Sequence, residues 1–526
     1  MIAHGADGTE MNKRGLPLGP PGTSPMEILA ESRSEKILEL SVPVQVGDSH
    51  LTLIDGLDSI RHDFGQTPAF AIDDFDAKEL DDAISIEPIP ASNSYWVHVH
   101  VADPSSIIHP RDEIARIAEH RGVTAYFVER TWPMLPQTMT EALFSLGSTS
   151  LKTLAQPVLT FSYEVDEQGC IVQSKIRPAL VRNVISLRYD DVDRFLNGGA
   201  QTKFLAYPLA SGSPFSVPPS PIPEIAHEDI RHLGIIAQRL GKKRSSSERV
   251  LQWVSPHLKV FLHSTNLPIN PLEPSRPSLY RGFPTAELGV EHIWESPARG
   301  ASLPHTATEQ DCAELMALRN GSGSIPLTEV FKRHIVFGRS IYTTEDMPHE
   351  TMGVFSPDLY CRVTSPLRRF VDLVNHWQIK AALRNTLSPN ALSFPPTATA
   401  PVPLFAKGML DQLVVDHNHV DMAFKRASQG NMLAWAGNVM QNALADPTNE
   451  YAHHVLNNLD AVVMGTPVWA NDIRASYLDV TLPQLGFNAA ILDFDHNSPA
   501  QMGETLKARL HSVEVGMMPR VILKLV

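Results

Sequence analysis

The sequence predicts an α+β chain: a mixed β-sheet core, a large helical part, and a small all-β domain at the end. Three observations carry that reading. From Arg61 to about Tyr189, short alternating runs such as Tyr95–Val101 read as strands, with Arg111–Arg121 as a helix among them. A mostly helical stretch follows over about residues 226–445. Finally, residues 455–526 alternate apolar and polar positions in short runs (Ala461–Met464, Tyr477–Leu482, Ala489–Leu492, Arg520–Val526). That alternation suits a small barrel of the OB-fold type. The expected units are an N-terminal extension over 1–60, in part disordered, a main domain over 61–445 and a barrel over 455–526.

With 526 residues, 43% of them hydrophobic, the chain has enough apolar mass for one large core and a smaller one. Mean hydropathy is −0.11, and no apolar run approaches the roughly 18 to 20 residues of a membrane span. Residues 1–19 hold Asp7, Glu10 and several glycines. They show neither an apolar signal core nor the acid-poor, Arg-rich look of an organellar leader. Cys170, Cys312 and Cys361 are far apart, which argues against a disulfide framework or a zinc-cysteine site and for a reducing interior. Net charge is −14, unlike a uniformly basic nucleic-acid wrapper, although a local basic channel is compatible with it. Pro/Ser-rich stretches at Tyr207–Pro223, Leu267–Pro277 and Ser388–Pro403 read as surface insertions.

The first chemical signal lies between Ala71 and Ala83, where Asp73, Asp74, Asp76, Glu79, Asp81 and Asp82 crowd into ten residues. Apolar runs on both sides imply strand, loop, strand, with the acids on the loop. Like charges packed so closely cost free energy unless cations neutralise them. Oxygen ligands without His or Cys suit Mg²⁺, with Mn²⁺ as the alternative. A solvated acidic turn is the plain alternative. An EF-hand is excluded, since counting from Asp74 there is no glycine at the sixth position and no glutamate at the twelfth.

The second signal comes almost 300 residues later, in Thr364-Ser365-Pro366-Leu367-Arg368-Arg369-Phe370-Val371-Asp372-Leu373. Ser365 suits an N-cap and Pro366 a first helical position, with Leu367, Phe370, Val371 and Val374 at helical spacing. Arg368 and Arg369 are then expected in the first turn, where cations oppose the helix dipole unless an anion is their target. The plain reading pairs Arg369 with Asp372.

Together the two blocks resemble the ribonuclease II (RNB) family. Asp73, then five residues, an acid, one residue and Asp81-Asp82 is similar to its catalytic signature. Arg61-His62-Asp63-Phe64-Gly65 resembles the lead-in. His98-Val99-His100-Val101-Ala102-Asp103, Pro133-Met134-Leu135-Pro136 and Phe144-Ser145-Leu146 follow in the family's order. Glu79 stands where the better-known bacterial members have Asp, and fungal mitochondrial members resemble this chain there. His98 and His100 are expected to be ordinary strand residues.

The resemblance implies a 3′→5′ exoribonuclease that hydrolyses single-stranded RNA to nucleoside 5′-monophosphates with Mg²⁺. It casts Asp82 and Arg368 as catalytic and Asp73, Glu79, Asp81 and Asp82 as metal ligands. Tyr126, Tyr189, Glu314 and Arg369 become RNA contacts, with Tyr126 stacking on the 3′-terminal base. A late family glutamate is not evident near Met422–Trp435, where Lys425 and Arg426 stand. Mitochondrial location and an RNA helicase partner are likewise implied by resemblance alone. Two further OB-folds precede the domain in fuller members, and about 60 residues precede it here, so weak retention of long RNA is expected. The competing readings are a catalytically weakened RNA-binding protein with the same fold, favoured by Glu79, and a metal phosphatase, which leaves Tyr126 and the barrel unexplained.

Overall fold

The computed structural model describes residues 55–75, 79–90, 92–128, 130–147, 155–197, 204–207, 219–245, 253–262, 286–295, 361–386, 404–470, 475–494, 500–514 and 520–526, with a few isolated positions besides. A seven-stranded sheet organises the first part. Its strands are β1 (His62–Asp63), β2 (Pro68–Asp73), β3 (Asp82–Pro88) and β4 (Tyr95–Ala102). After a small ribbon, β5 (Ala125–Tyr126) with β6 (Thr131–Trp132), come β7 (Gln156–Val165), β8 (Ile171–Val181) and β9 (Asn183–Arg188). The order across the sheet is β9-β2-β3-β4-β7-β8-β1, with β9 parallel to β2 and β1 parallel to β8.

Strand periodicity explains the faces. Along β4 the valines at 97, 99 and 101 share one side while His98 and His100 share the other. Both histidines are buried: His98 bonds Ser162 at 2.8 Å and approaches Glu87 at 3.5 Å, and His100 is satisfied at both nitrogens by Ser85 at 2.8 Å and Thr160 at 3.0 Å. Strand residues is what they are.

Helices cover the sheet. They are α1 (Glu113–Arg121), α2 (Tyr189–Leu196), α3 (His227–Ser245), α4 (Phe370–Thr386), α5 (Lys407–Ala445) and α6 (Glu450–Leu456). Phe370, Leu373, Val374 and Trp377 of α4 share a core with Ile114 and Ala118 of α1 and with Met134 and Leu135. On another cluster Ile230, Leu233 and Ile236 of α3 pack with Phe70. Each such side chain taken from water contributes roughly 1.5 to 3 kcal/mol.

The span expected to be mostly helical also contains strands. β10 (Phe204–Tyr207), β11 (Trp253–Leu262) and β12 (Ala286–Glu295) form a separate antiparallel sheet in the order β10-β12-β11. The aromatic and β-branched ends of β11, Trp253-Val254 and Val260-Phe261, favour that state. Leu267–Pro277 and Ser388–Pro403 lie outside the described residues, as does most of Tyr207–Pro223 and of 1–60.

The C-terminal strands β13 (Leu459–Val463), β14 (Val468–Ala470), β15 (Ala475–Leu482), β16 (Phe487–Leu492), β17 (Thr505–Glu514) and β18 (Arg520–Leu525) form one sheet, ordered β13-β17-β18-β16-β15-β14. Pairing of β13 with β15 curls it into the expected barrel. Trp435, Val439 and Met440 of α5 enter the barrel's core beside Leu478, Ile491 and Leu523. At Gly437 a Cβ would stand 2.3 Å from Val513, so only glycine permits that approach.

A buried charge cluster fixes α4 to the sheet. Lys380 Nζ lies 2.7 Å from Asp55 and 2.5 Å from Asp103, and Arg61 binds Asp55 at 2.6 Å. Arg384 Nε donates to the Asp55 carbonyl at 2.9 Å. Asp55 and Leu57 thus belong structurally with the main domain, a few residues ahead of the expected boundary at 61.

Candidate active site

The acidic segment forms the expected strand, loop, strand. β2 ends on Asp73 and β3 begins on Asp82, with the loop between them; Asp76 and Lys78 fall outside the described residues. Three other segments hold this loop. A π-helical turn, Thr140–Phe144, presents Ser145, whose Oγ accepts from Leu80 N at 3.0 Å, and Leu146 N donates to Leu80 O at 3.0 Å. Ala102 N donates to Asp81 O at 2.7 Å, and Leu367 N to Asp81 Oδ1 at 3.0 Å.

The basic segment differs from its expected form. The helix starts at Phe370, so Ser365–Arg369 is a turn ahead of α4 and neither arginine sits in a first helical turn. Strand-like pairing outcompetes the helix here. Arg369 bridges Val123, Thr124 N donates to Arg368 O at 2.9 Å, and Phe370 N donates to Gly122 O at 2.8 Å. Gly122, at φ +75°, ends α1, and a Cβ there would meet Val420 at 2.9 Å. The turn's amides are not left for a phosphate either, because Leu367 N serves Asp81 and Ser365 N serves Asp372 at 3.0 Å. Asp372, fully buried, also receives Arg369 at 2.8 Å, which is the i,i+3 pair of the plain reading.

Arg368 behaves differently from its neighbour. Its Nε lies 2.8 Å from Asp81 Oδ2, out of line for a hydrogen bond, while Nη2 donates to Ser365 Oγ at 3.3 Å. With 41% of its side chain exposed it stays open to an anion.

The carboxylates resist ionisation. Burial, then repulsion from Asp82, pushes Asp73 up to about 6, against the pull of Arg368. Burial raises Glu79 and Asp82 as well. Asp81 is pushed by burial up to about 8, whereas Arg368 is held above its ordinary value because Asp81, Tyr126 and Asp73 together outweigh the burial that opposes its charge. A guanidinium is permanently charged, and at 2.8 Å it favours the ionised carboxylate.

Two tyrosines flank the acids. Tyr126 is 45% exposed, and its hydroxyl donates to Glu79 Oε2 at 3.0 Å. Burial and the Glu79 charge raise its phenol. Tyr189 is 42% exposed and directly follows Arg188, which pairs with Asp73 across β9 and β2. Burial, followed by the charges of Asp73, Asp82 and Asp74, brings it up to about 12. Glu314 is an exposed helical position whose neighbours lie outside the described residues. Of the residues singled out from sequence, Asp73, Glu79, Asp81, Asp82, Tyr126, Tyr189 and Arg368 converge, and Arg369 stands just behind them.

Sequence reasoning missed Thr124 and the role of α5. Thr124 Oγ1 reaches Glu79 Oε2 at 3.4 Å and accepts from Met134 N at 2.9 Å. Ser428 Oγ donates to Tyr126 O, and Val128 N donates to Asn431 Oδ1 at 2.9 Å, so α5 backs the tyrosine's strand. Where the late glutamate was sought, Lys425 pairs with Asp421 at 2.7 Å. Nothing marks Thr124 in sequence except its place in Arg121-Gly122-Val123-Thr124-Ala125-Tyr126.

The donor set suits a hard divalent cation in part. Asp73, Asp82 and Glu79 offer oxygens only, resist ionisation chiefly through burial, and include a buried Glu79 Oε1 with no hydrogen-bond partner. Asp81 fits less well, since Leu367 N and Arg368 engage its two oxygens. Among the described residues no three acids or histidines converge into a ready-made metal cage.

Comparison with known proteins gives the family and the fold. A family model described as RNB domain matches residues 61–277 and 272–385, together more than half of the 526-residue chain. The mitochondrial exoribonuclease II of Schizosaccharomyces pombe is 28% identical over 367 residues, covering 64% of this chain and 37% of its own length. That of Saccharomyces cerevisiae is 26% identical over 424 residues, covering 73% and 39%. The chain therefore spans little more than a third of these relatives. Among solved structures, the Dss1 exoribonuclease of Candida glabrata superposes with a TM-score of 0.65 at 19% identity, covering 95% of this chain and 58% of that one. Mycoplasma genitalium RNase R gives 0.58 at 14% identity, covering 94% and 75%.

Proposed function

Because the chain belongs to the RNB domain family, we propose that it hydrolyses single-stranded RNA from the 3′ end, releasing nucleoside 5′-monophosphates. The observation that carries this reading is the meeting of crowded carboxylates, one partly open guanidinium and two exposed tyrosines at the end of β2 and β3.

In this reading Asp73 and Asp82 would hold Mg²⁺ or Mn²⁺, and such an ion supplies Lewis acidity and a more acidic bound water. Asp81 orients Arg368, whose exposed part takes the phosphoryl oxygens and offsets charge that grows in the transition state. Tyr126 stacks on the terminal base, a contact worth about 1 to 3 kcal/mol that tolerates any sequence. Tyr189 faces the ribose, whose 2′-hydroxyl distinguishes RNA from DNA. The barrel extends the grip along the strand, with Trp469, 54% exposed, as a stacking candidate. Mitochondrial location remains part of the proposal on the strength of relatives described as mitochondrial, and a helicase partner on the family resemblance alone. No helix among the described residues is long and apolar enough to cross a membrane.

The test is a 5′-labelled single-stranded RNA incubated with the purified chain and Mg²⁺. Progressive shortening is expected, with a circular form of the same RNA left intact. Circular RNA cut as fast as linear RNA overturns the reading, and so does the absence of any shortening.

A further inference from the structure

We infer that Glu79 is a positioning residue for the nucleotide clamp rather than an ordinary member of the metal set: its carboxylate fixes the Tyr126 ring beside the acidic loop and so sets where the 3′-terminal nucleotide stops. The inference rests on the proposed exonuclease reading and deepens it.

Geometry carries the argument. Glu79 Oε2 accepts from Tyr126 Oη at 3.0 Å and lies 3.4 Å from Thr124 Oγ1. Both donors sit on one short segment, Thr124 and Tyr126, two residues apart and therefore on the same side of an extended chain. Thr124 is itself fixed, since its hydroxyl accepts from Met134 N and its amide donates to Arg368 O. Behind it, Ser428 of α5 binds the Tyr126 carbonyl. The backbone of the tyrosine is thus held from two sides, and the hydroxyl at the far end of its ring is held by Glu79. A ring anchored at both ends makes a rigid stacking surface.

Length matters in this contact. Aspartate in place of Glu79 would retain the charge but draw the carboxylate back by one methylene, about 1.5 Å of bond. A contact of 3.0 Å would then exceed hydrogen-bond reach. Glutamate at this position is therefore matched to the tyrosine. The tie also connects clamp and chemistry physically, because Glu79 shares its loop with Asp81 and Asp82.

Reach and charge give opposite orders of effect, which makes the role testable. On an Asp82→Asn background that holds RNA without cutting it, a 2-aminopurine at the 3′ end reports stacking by its quenching. Glu79→Gln keeps the length and an acceptor oxygen, so quenching should match the parent. Glu79→Asp and Tyr126→Phe should each lose a similar part of it, and combining them should lose no more. In the cutting enzyme, Glu79→Asp and Tyr126→Phe should end on the same altered final fragment, while Glu79→Gln ends on the parental one. Mn²⁺ affinity, read by electron paramagnetic resonance, should change less than about threefold in Glu79→Asp. The reverse order overturns the inference: Glu79→Gln losing Mn²⁺ tenfold or more while Glu79→Asp keeps both quenching and fragment length assigns Glu79 to the metal. A parent that shortens no RNA defeats the exonuclease reading itself and takes this inference with it.

Discussion

Two groups of carboxylates, one buried and one half-buried, sit in one domain and are treated in opposite ways. At the staple between α4 and the sheet, Asp55 and Asp103 face Lys380 and Arg61, two anions against two cations, all buried. Burial, the largest single influence, would raise both acids, but Lys380 together with Arg61 at Asp55 and His376 at Asp103 outweighs it and holds them below their ordinary range. At the acidic loop, Asp73, Glu79, Asp81 and Asp82 are all pushed upward, burial leading in each case. The offsetting cations are Arg368 and, more weakly, Arg369, which Asp372 already holds. A cluster that closes its own charge is built for stability. One that leaves anions in surplus is built around something that arrives later.

The largest consequence concerns turnover. Asp82→Asn should abolish RNA hydrolysis while leaving RNA binding largely intact, because aromatic and basic contacts hold the strand independently. Gel-based cleavage beside filter binding checks it; parental turnover at saturating Mg²⁺ sinks the metal assignment. The staple should show the reverse profile. Lys380→Met leaves two buried carboxylates facing Arg61 and, at Asp103, His376 at 3.8 Å, and breaking a buried pair on one side costs about 3 to 5 kcal/mol. Urea denaturation should register that loss, and a midpoint within error of the parent would mean that water already solvates the cluster.

How much of this was legible beforehand divides along the same line. The acidic loop announced itself because its ligands are contiguous, Asp73 to Asp82, so spacing alone placed them between two strands. The staple did not, because Asp55, Asp103 and Lys380 are separated by 48 and 277 positions and meet only through the fold. The Arg368–Arg369 segment was read with the right residues and the wrong backbone. Local helix signals at Ser365 and Pro366 were overridden by bridging to Val123, a contact almost 250 residues away in sequence. Tyr126 was found through resemblance, yet its bond to Glu79 was invisible, since side-chain reach across a fold leaves no spacing to read.

The two arginines separate the regions within a single dipeptide. Arg368→Lys keeps charge but loses the planar fork, and removing one well-placed transition-state donor costs about 10² to 10³ in kcat. Arg369→Lys should mainly loosen the bond to Asp372 and lower the denaturation midpoint with a smaller change in kcat. Equal losses of kcat would make the pair a general electrostatic patch.

Acid sharpens the contrast. Asp55 and Asp103 have folded-state values below the unfolded aspartate value of about 3.9. Their contribution is fully present above that value and is lost as pH falls through the acid range beneath it. Stability followed by urea midpoint should therefore drop on the acid side. In Lys380→Met the depression should shrink, Arg61 and His376 remaining, and the drop should begin at higher pH; superimposable acid limbs would remove Lys380 as its main cause.

The smallest effect tests the surplus charge directly. If the acidic loop awaits a cation, metal-free protein should gain thermal stability as Mg²⁺ is added, by RT ln(1 + [Mg²⁺]/Kd), or about 1.4 kcal/mol at ten times Kd. Asp82→Asn removes one of the crowded carboxylates, so before any metal is added it should melt at or slightly above the parent, since it relieves repulsion on Asp73. The same substitution should flatten the Mg²⁺ response, because an amide oxygen is a weaker ligand for a hard cation. Lys380→Met should start from a lower midpoint and still rise by the parental increment, its defect lying in the other cluster. An equal rise in all three proteins would place the bound Mg²⁺ elsewhere on an acidic surface and leave the loop's surplus charge without a partner.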